Sequence, residues 1–214
     1  MTTILCYGDS NTWGFDPTSG QRLAPETRWP GVLRALLPAC EIVEEGLPGR
    51  TTILDDPFED GRNGLTYLGP CLASHAPVDL VVLMLGTNDV KTIFPLDAAG
   101  IAAGVDRLVT VIRRSRCGPG ERAPEVLLVA PPPVTDPRPL QRVWGFSAGS
   151  VERAGELARF YREVAENQRC AFLDGGAVAA VSPSDGVHLD AAAHQALGKA
   201  IADSVRAILT HRQP

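Results

Sequence analysis

The sequence predicts a three-layer α/β fold in which a parallel sheet of five strands lies between two layers of helices. Strand-like and helix-like segments alternate along the whole chain, which is typical of strands joined by right-handed helical crossovers. The strand-like segments are continuous apolar runs rather than alternating ones, as expected for a parallel sheet covered on both faces. The 214 residues suit one domain with a sizeable core, and no repeat, linker or low-complexity tract divides residues 1–214.

Short apolar runs mark the predicted strands. They lie at residues 4–7, 41–43, 80–85, 126–130 and 170–173. The run at 80–85 is the strongest, because every residue in it is apolar and Gly86 ends it. The run at 126–130 is ended by consecutive prolines, which cannot continue a central strand.

Between these runs, apolar residues recur at three- and four-residue steps, which predicts helices. The predicted helices begin at Pro30, span residues 64–74, 96–114 and 150–167, and finish with a helix capped by Asp190. Two irregular stretches remain, at 47–63 and 131–149, and each is long enough to be a functional loop.

Composition and charge exclude several classes of protein. A mean hydropathy of +0.01 with 21% charged residues argues against disorder. A net charge of −5 leaves no excess of cations to bind nucleic acid, and no polybasic patch is present for a membrane surface. No run approaches the roughly 20 apolar residues of a membrane span, and the first residues lack the basic leader of a signal peptide. The 5 cysteines form no C-x-x-C pair, which favours buried thiols in a cytoplasmic protein over disulfides or zinc.

Polar segments follow the predicted strands at the points where those strands end. Residues 8–11, 46–50 and 86–89 come directly after three strands, and residues 185–188 precede the final helix. Open parallel sheets carry their sites at the carboxyl ends of the strands. We therefore expect these four segments to meet at one edge of the sheet.

Together these segments contain what acyl transfer requires. A serine hydroxyl is a weak nucleophile that needs an imidazole to take its proton and a third group to orient that imidazole. Ser10, His188 and Asp185 are the candidates for these three roles. The backbone N–H of Ser10, a backbone N–H at Gly49 and the Asn88 amide can form the oxyanion hole, where each donor contributes about 3–4 kcal/mol.

The same residues carry a resemblance to a known family. The motifs Gly8-Asp9-Ser10, Gly49, Gly86-Thr87-Asn88-Asp89 and Asp185-Gly186-Val187-His188 resemble, in order, the four sequence blocks of the SGNH or GDSL-type hydrolases. Residues 8–14, 44–52 and 84–89 are similar to the bacterial arylesterase and acyltransferase subgroup. One block alone is a weak match, but four blocks at both ends of the chain are a specific one.

That resemblance implies a flavodoxin-like sheet and a small acyl ester as substrate, with no metal and no cofactor. It implies hydrolysis of short-chain esters, acyl transfer to alcohols or peroxide (perhydrolase activity), and a homo-oligomer. It also implies Ser10 as the nucleophile, Gly49 and Asn88 in the oxyanion hole, and Asp185 with His188 completing the triad.

The chain departs from the family pattern in two places. Asn11 stands where the family usually has leucine after the serine, and the loop at 134–149 differs from the subgroup. Trp13 and Trp144 lie in or beside the predicted edge loops. Asn11, Trp13 and Trp144 are therefore the candidates for the substrate pocket, with packing beneath the sheet edge as the alternative role of Trp13.

Other residues offer competing interpretations. Residues 145–149 match the G-x-S-x-G pattern around Ser147, but the prolines before them exclude the strand that this pattern requires. Ser147 is therefore predicted to lie in a loop or to cap a helix. A metal held by Asp185, His188 and Asp9 is disfavoured, because no second histidine lies at ligand spacing. The remaining histidines have no partner evident in the sequence: His75, His194 and His211.

The sequence thus predicts a cytoplasmic serine esterase with a Ser10–His188–Asp185 triad. Two other functions stay open at this level. One is a carbohydrate O-deacetylase of the same fold, and the other is a flavodoxin-like binding module without catalysis.

Overall fold

A computed structural model describes residues 1–136 and 144–210. Its centre is a 5-stranded sheet with the strand order β2-β1-β3-β4-β5. The strands are β1 (Thr2–Gly8), β2 (Cys40–Gly46), β3 (Leu80–Met84), β4 (Glu125–Ala130) and β5 (Ala171–Asp174). Every neighbouring pair is parallel. This is the flavodoxin-like doubly wound order, so the predicted fold class is confirmed.

Helices cover both faces of this sheet. They are α1 (Ser10–Trp13), α2 (Trp29–Leu36), α3 (Gly64–Ser74), α4 (Ala98–Arg114), α5 (Ala148–Gln168) and α6 (Ala191–Thr210). The apolar side chains of α3, α4 and α5 form one buried layer, and those of α2 and α6 form the other. None of the helices in the described ranges is long and apolar enough to cross a bilayer.

Strand β1, which has a neighbour on each side in the sheet, shows why residues 4–7 are all apolar. Leu5 and Tyr7 point into the layer under α3, α4 and α5, whereas Ile4 and Cys6 point into the layer under α2 and α6. All four side chains are completely buried. Side chains alternate between the faces of a strand, so a strand covered on both sides needs apolar residues at every position.

The predicted boundaries differ from the observed ones at a few element ends. Strand β2 runs over Cys40–Gly46, longer than the predicted 41–43, because its last residues are half-buried at the edge of the sheet and carry charge. Helix α1 has only 4 residues, too few for any apolar periodicity to be read from the sequence.

Candidate active site

Helix α1 presents Ser10 at the carboxyl edge of the sheet. β1 ends at Gly8, and the Asp9 carboxylate caps α1 by accepting the Asn11 backbone N–H at 2.9 Å. Gly8 is required at this turn, because a Cβ there would lie 2.0 Å from the Thr12 hydroxyl oxygen. The turn therefore aims the side chain of Ser10, the first residue of α1, out of the sheet edge.

The structure brings Ser10, His188 and Asp185 into one hydrogen-bonded row. The Ser10 Oγ lies 2.9 Å from His188 Nε2, and His188 Nδ1 lies 2.6 Å from Asp185 Oδ2. The other oxygen of Asp185 accepts the backbone N–H groups of Val187 and His188, each at 2.9 Å. With Asp185 accepting from Nδ1–H, the Nε2 lone pair faces the serine hydroxyl, which is the tautomer that a general base needs.

The Asp185 carboxylate is held in its ionised form. Burial alone would raise its pKa, but the hydrogen bond and charge of His188 and the two backbone N–H donors outweigh burial, so the pKa is lowered. An ionised Asp185 can stabilise the positive charge that forms on His188 when it takes a proton.

Asn11 holds the histidine loop. Its Nδ2 donates to the Val187 carbonyl at 3.3 Å, and its Oδ1 accepts the Leu189 N–H at 3.0 Å. These two bonds lie on either side of His188 in the chain. Asn11 is almost fully buried and does not line the cavity over Ser10. Its assignment to the substrate pocket was wrong, because its amide is used up on the backbone of residues 187–189.

Gly49 and Asn88 lie with Ser10 and His188 on the surface of one cavity. Gly49 has φ +79°, a left-handed conformation that L side chains rarely adopt, which explains why a glycine stands there. The Asn88 Nδ2 donates to the Arg50 carbonyl at 3.1 Å. An amide nitrogen carries two hydrogens, so this bond fixes the Asn88 side chain and leaves a second donor.

Behind Asn88, a buried carboxylate anchors the loop that carries Gly49. Asp89 accepts the Thr52 backbone N–H at 3.0 Å and the Thr52 hydroxyl at 2.5 Å. Burial raises the pKa of Asp89 to about 6, against the lowering effect of the Thr52 bonds and with a smaller raising effect from Asp9. Burial also raises the pKa of Asp9, although the Asn11 N–H and the His188 charge oppose this.

Arg50 ties the same loop to the end of β1. Its guanidinium is buried, donates to the carbonyl oxygens of Gly8 (2.9 Å) and Glu45, and lies 4.3 Å from the centre of the Tyr7 ring. The residues that position the loop, Arg50 and Thr52, belong to the stretch whose likeness to the subgroup was evident in the sequence. The individual contacts of Arg50 and Thr52 could not be predicted from the sequence, because their partners Gly8 and Asp89 lie far away along the chain.

The cavity over Ser10 has a volume of about 430 Å³ and largely apolar walls. Its aromatic and aliphatic lining consists of Phe15, Pro48, Phe58, Ile93, Trp144, Phe146 and Val187. The Phe15 ring lies 4.2 Å from the His188 ring, centre to centre, and 6.1 Å from that of Trp144. Trp144 thus lines the same cavity as Ser10.

Trp13 does not line this cavity, and its assignment to the pocket was wrong. Its ring lies beside Arg22, whose guanidinium carbon is 5.1 Å from the ring centre. The reason is the shortness of α1. The chain reverses at Gly14, with φ +89°, so that Phe15 rather than Trp13 turns toward His188.

The competing motif around Ser147 has the predicted structural role. Ser147 is the N-cap residue of α5, and its backbone N–H donates to the Ser150 hydroxyl at 3.0 Å. It does not line the cavity that contains Ser10. Residues 137–143 of the divergent loop, and His211, lie outside the described residues.

Two of the other histidines do have partners. His75 Nε2 lies 2.8 Å from Glu45 Oε1, and His194 Nδ1 accepts the Trp29 backbone N–H at 3.2 Å. Burial lowers the pKa of His194 to about 4, so this side chain is neutral at pH 7. Its role is structural, because it is buried and accepts a backbone hydrogen bond.

A doubly wound parallel sheet with a hydrogen-bonded serine, histidine and aspartate at its carboxyl edge is the arrangement of a serine-dependent hydrolase. The family model described as GDSL-like lipase/acylhydrolase matches residues 6–196. The chain therefore belongs to the GDSL-like lipase/acylhydrolase family and is a carboxylic ester hydrolase, which confirms the resemblance seen in the motifs.

Several solved structures are similar to this chain over nearly its whole length. A carbohydrate acetylesterase family member from Sinorhizobium meliloti is 45% identical, with 98% of this chain and 100% of that chain covered and a TM-score of 0.92. The aryl esterase of M. smegmatis is 42% identical, with 97% and 99% covered and a TM-score of 0.91. A second carbohydrate acetylesterase from S. meliloti, Est24, is 41% identical, with 97% and 100% covered and a TM-score of 0.92. A search of curated proteins finds no significant match.

Proposed function

We propose that the chain is a serine esterase that cleaves short-chain acyl esters through an acyl-enzyme. The observation that carries the proposal is the row from Ser10 Oγ to His188 Nε2 (2.9 Å) and from His188 Nδ1 to Asp185 (2.6 Å), which opens into the cavity shared with Gly49 and Asn88. Each distance lies within the range needed for direct proton transfer or orientation.

In the first half of the reaction, Ser10 Oγ forms a bond to the ester carbonyl carbon while His188 Nε2 takes the hydroxyl proton. The carbonyl oxygen becomes an oxyanion, which the N–H groups of Ser10 and Gly49 and the free hydrogen of the Asn88 amide stabilise. The bond to the leaving oxygen then breaks, and His188 returns the proton to that oxygen. An alcohol or phenol leaves and an acyl-Ser10 ester remains.

In the second half, the O–H of an acceptor attacks the acyl-Ser10 carbonyl carbon and gives its proton to His188 Nε2. The bond between that carbon and Ser10 Oγ then breaks, and His188 returns the proton to Ser10 Oγ. With water the product is a carboxylic acid, and with an alcohol or peroxide it is a new ester or a peracid. The apolar walls at Phe15 and Trp144 favour an acceptor other than water, which supports the acyltransferase and perhydrolase alternative. Product analysis of an aryl acetate with excess alcohol tests it, and free acid as the sole product would reject transfer.

A carbohydrate O-deacetylase is the second candidate. The cavity also carries polar side chains at Asp56, Glu59 and Lys91, which could bind the hydroxyl groups of a sugar. The S. meliloti carbohydrate acetylesterases provide the comparison in its favour. A panel of acetylated sugars against aryl acetates of equal acyl length discriminates the two, because a deacetylase has the higher kcat/KM on the sugars.

Removal of the nucleophile tests the proposal most directly. Ser10→Ala is expected to lower kcat for p-nitrophenyl acetate at least about 10⁴-fold, and Asp185→Asn about 10³- to 10⁴-fold, with unfolding unchanged within about 1 kcal/mol. The matched control is Ser147→Ala, which alters a helix cap outside the cavity and should keep the activity. Activity retained in Ser10→Ala, or lost in Ser147→Ala, would reject the assignment.

Covalent labelling separates an enzyme from a binding module. A fluorophosphonate should modify the folded wild-type protein at Ser10 and leave Ser10→Ala unmodified, because it reacts with an activated serine. A folded wild-type chain that stays unlabelled would favour the non-catalytic alternative. The predicted homo-oligomer and cytoplasmic location stay predictions.

A further inference from the structure

Outside the active site, three side chains with metal-binding atoms converge. They are Glu45 near the end of β2, Cys71 in α3, and His75 just after α3. One carboxylate oxygen, the thiol sulfur and one imidazole nitrogen all lie within 4.8 Å of one another. Across residues 1–136 and 144–210, this is the one group of three such side chains. None of the three lines the cavity over Ser10.

The fold explains why these side chains meet. Cys71 and His75 are four residues apart at the end of α3, so they lie on the same side of the helix. Cys71 is fully buried, whereas the side chains of Glu45 and His75 are 19% and 32% exposed. An ion can therefore reach the group from solvent. The carboxyl end of a helix also carries partial negative charge, which favours a cation there.

The three donors fit one ion better than others. A thiolate, an imidazole and a carboxylate are the ligands of Zn²⁺, whereas Mg²⁺ and Ca²⁺ take oxygen ligands. We propose that Glu45, Cys71 and His75 bind a Zn²⁺ ion, with water in the fourth position. A thiolate and a carboxylate together neutralise the two charges of the ion, so the site with Zn²⁺ bound is neutral beside the buried Arg50.

The present geometry requires only a small adjustment to bind the ion. His75 Nε2 and Glu45 Oε1 are 2.8 Å apart because they form a hydrogen bond. Two ligands of a tetrahedral zinc ion with bonds of 2.0–2.1 Å are about 3.3 Å apart. Because the His75 and Glu45 side chains are partly exposed, they have room to rotate and separate these two atoms.

Binding must release the thiol proton. A cysteine binds a metal ion as its thiolate. Zn²⁺ replaces that proton, so one proton appears in solvent for each ion bound, and affinity increases with pH. No sequence motif marks the group, because Glu45 and His75 are 30 residues apart along the chain.

The test is a calorimetric titration of the full chain with Zn²⁺ alone, in two buffers of different ionisation enthalpy. One ion per chain and proton release are expected. His75→Gln and Glu45→Gln, both at partly exposed positions, should weaken binding more than about 10-fold each. The matched control is Cys40→Ser, which removes a cysteine at the other end of β2 and should leave binding unchanged.

Co²⁺ gives a second measurement that depends on the sulfur. The wild-type protein should show a thiolate-to-cobalt charge-transfer absorption in the near ultraviolet, and Cys71→Ala should lack it. Three results would overturn the proposal: no binding of Zn²⁺, unchanged affinity in both His75→Gln and Glu45→Gln, or binding that His188→Ala abolishes. The last result would place the ion at the active site instead.

Discussion

The floor and the walls of the cavity over Ser10 are built differently. On the floor, Ser10, Asn88, Asp185 and His188 are each at most 5% exposed, and hydrogen bonds fix every one of them. On the walls, Phe146 is buried, but Phe58 is 80% exposed, and Ile93 and Trp144 are each 38% exposed. Buried hydrogen-bonded groups hold a single geometry, whereas exposed apolar side chains keep rotamer freedom. Under the proposed function, the floor determines the reaction and the walls determine which esters bind.

The largest effect that this comparison predicts, after the loss of Ser10 itself, is at Asn88. Asn88→Ala removes one oxyanion donor and should lower kcat about 10²- to 10³-fold, or about 3–4 kcal/mol, with little change in KM. Steady-state kinetics on p-nitrophenyl acetate measure it. The control is Asn167→Ala, at an exposed position on α5, which should leave kcat unchanged. A kcat for Asn88→Ala within about 3-fold of wild type would remove Asn88 from the oxyanion hole.

The buried Asp89, which lies behind the floor residue Asn88, should make the free energy of unfolding depend on pH. Its pKa is about 6 in the folded protein, raised by burial from an ordinary value of 3.8. Between these values the folded protein binds more protons than the unfolded chain, so the free energy of unfolding falls as pH rises, and the loss is nearly complete by pH 7. The contribution from pH 4 to pH 7 is about 2 kcal/mol.

Asp89→Asn isolates this term, because its side chain does not titrate. The free energy of unfolding of the variant relative to wild type should rise by about 2 kcal/mol from pH 4 to pH 7, measured by urea denaturation. A constant difference over this range would show that Asp89 titrates near its ordinary pKa.

The sequence predicted the floor far better than the walls. Ser10, Gly49 and Asn88 come shortly after strands, and His188 lies between the last strand and the final helix. A parallel sheet brings its strand ends to one edge, so these motifs could be placed together before any contact was known. The walls depend on the reversal at Gly14, which turns Phe15 rather than Trp13 toward the site. No periodicity in the sequence indicates that reversal.

Asn11 shows a second limit of the sequence. A polar residue beside the nucleophile suggested a substrate contact, yet both of its amide atoms are bonded to backbone at Val187 and Leu189. These partners are 176 and 178 residues away along the chain. Hydrogen bonds between residues so far apart in the chain depend on the tertiary structure, so the residues around Asn11 in the sequence could not predict them.

Asn11→Leu, which restores the residue usual in the family, tests this assignment. Two buried backbone groups lose their partners, so the free energy of unfolding should fall by about 1–3 kcal/mol. Since these bonds position the loop that carries His188, kcat should fall about 10-fold while KM stays near wild type. Unfolding and steady-state kinetics of the same preparation measure both. A variant as stable and as active as wild type would show that leucine packs as well there.

The smallest effect belongs to the walls, at Phe58. Phe58→Ala removes an exposed ring, so the free energy of unfolding should stay within about 0.5 kcal/mol of wild type. The value of kcat/KM should fall about 2- to 5-fold for an aryl acetate and less for ethyl acetate, because only the aryl group is large enough to contact the ring. Val178→Ala, an exposed apolar residue outside the cavity, is the control. An equal loss of kcat/KM on both esters would mean that Phe58 affects the reacting groups rather than the aryl group. Phe58 would then not act only on substrate preference, as the comparison of floor and walls predicts.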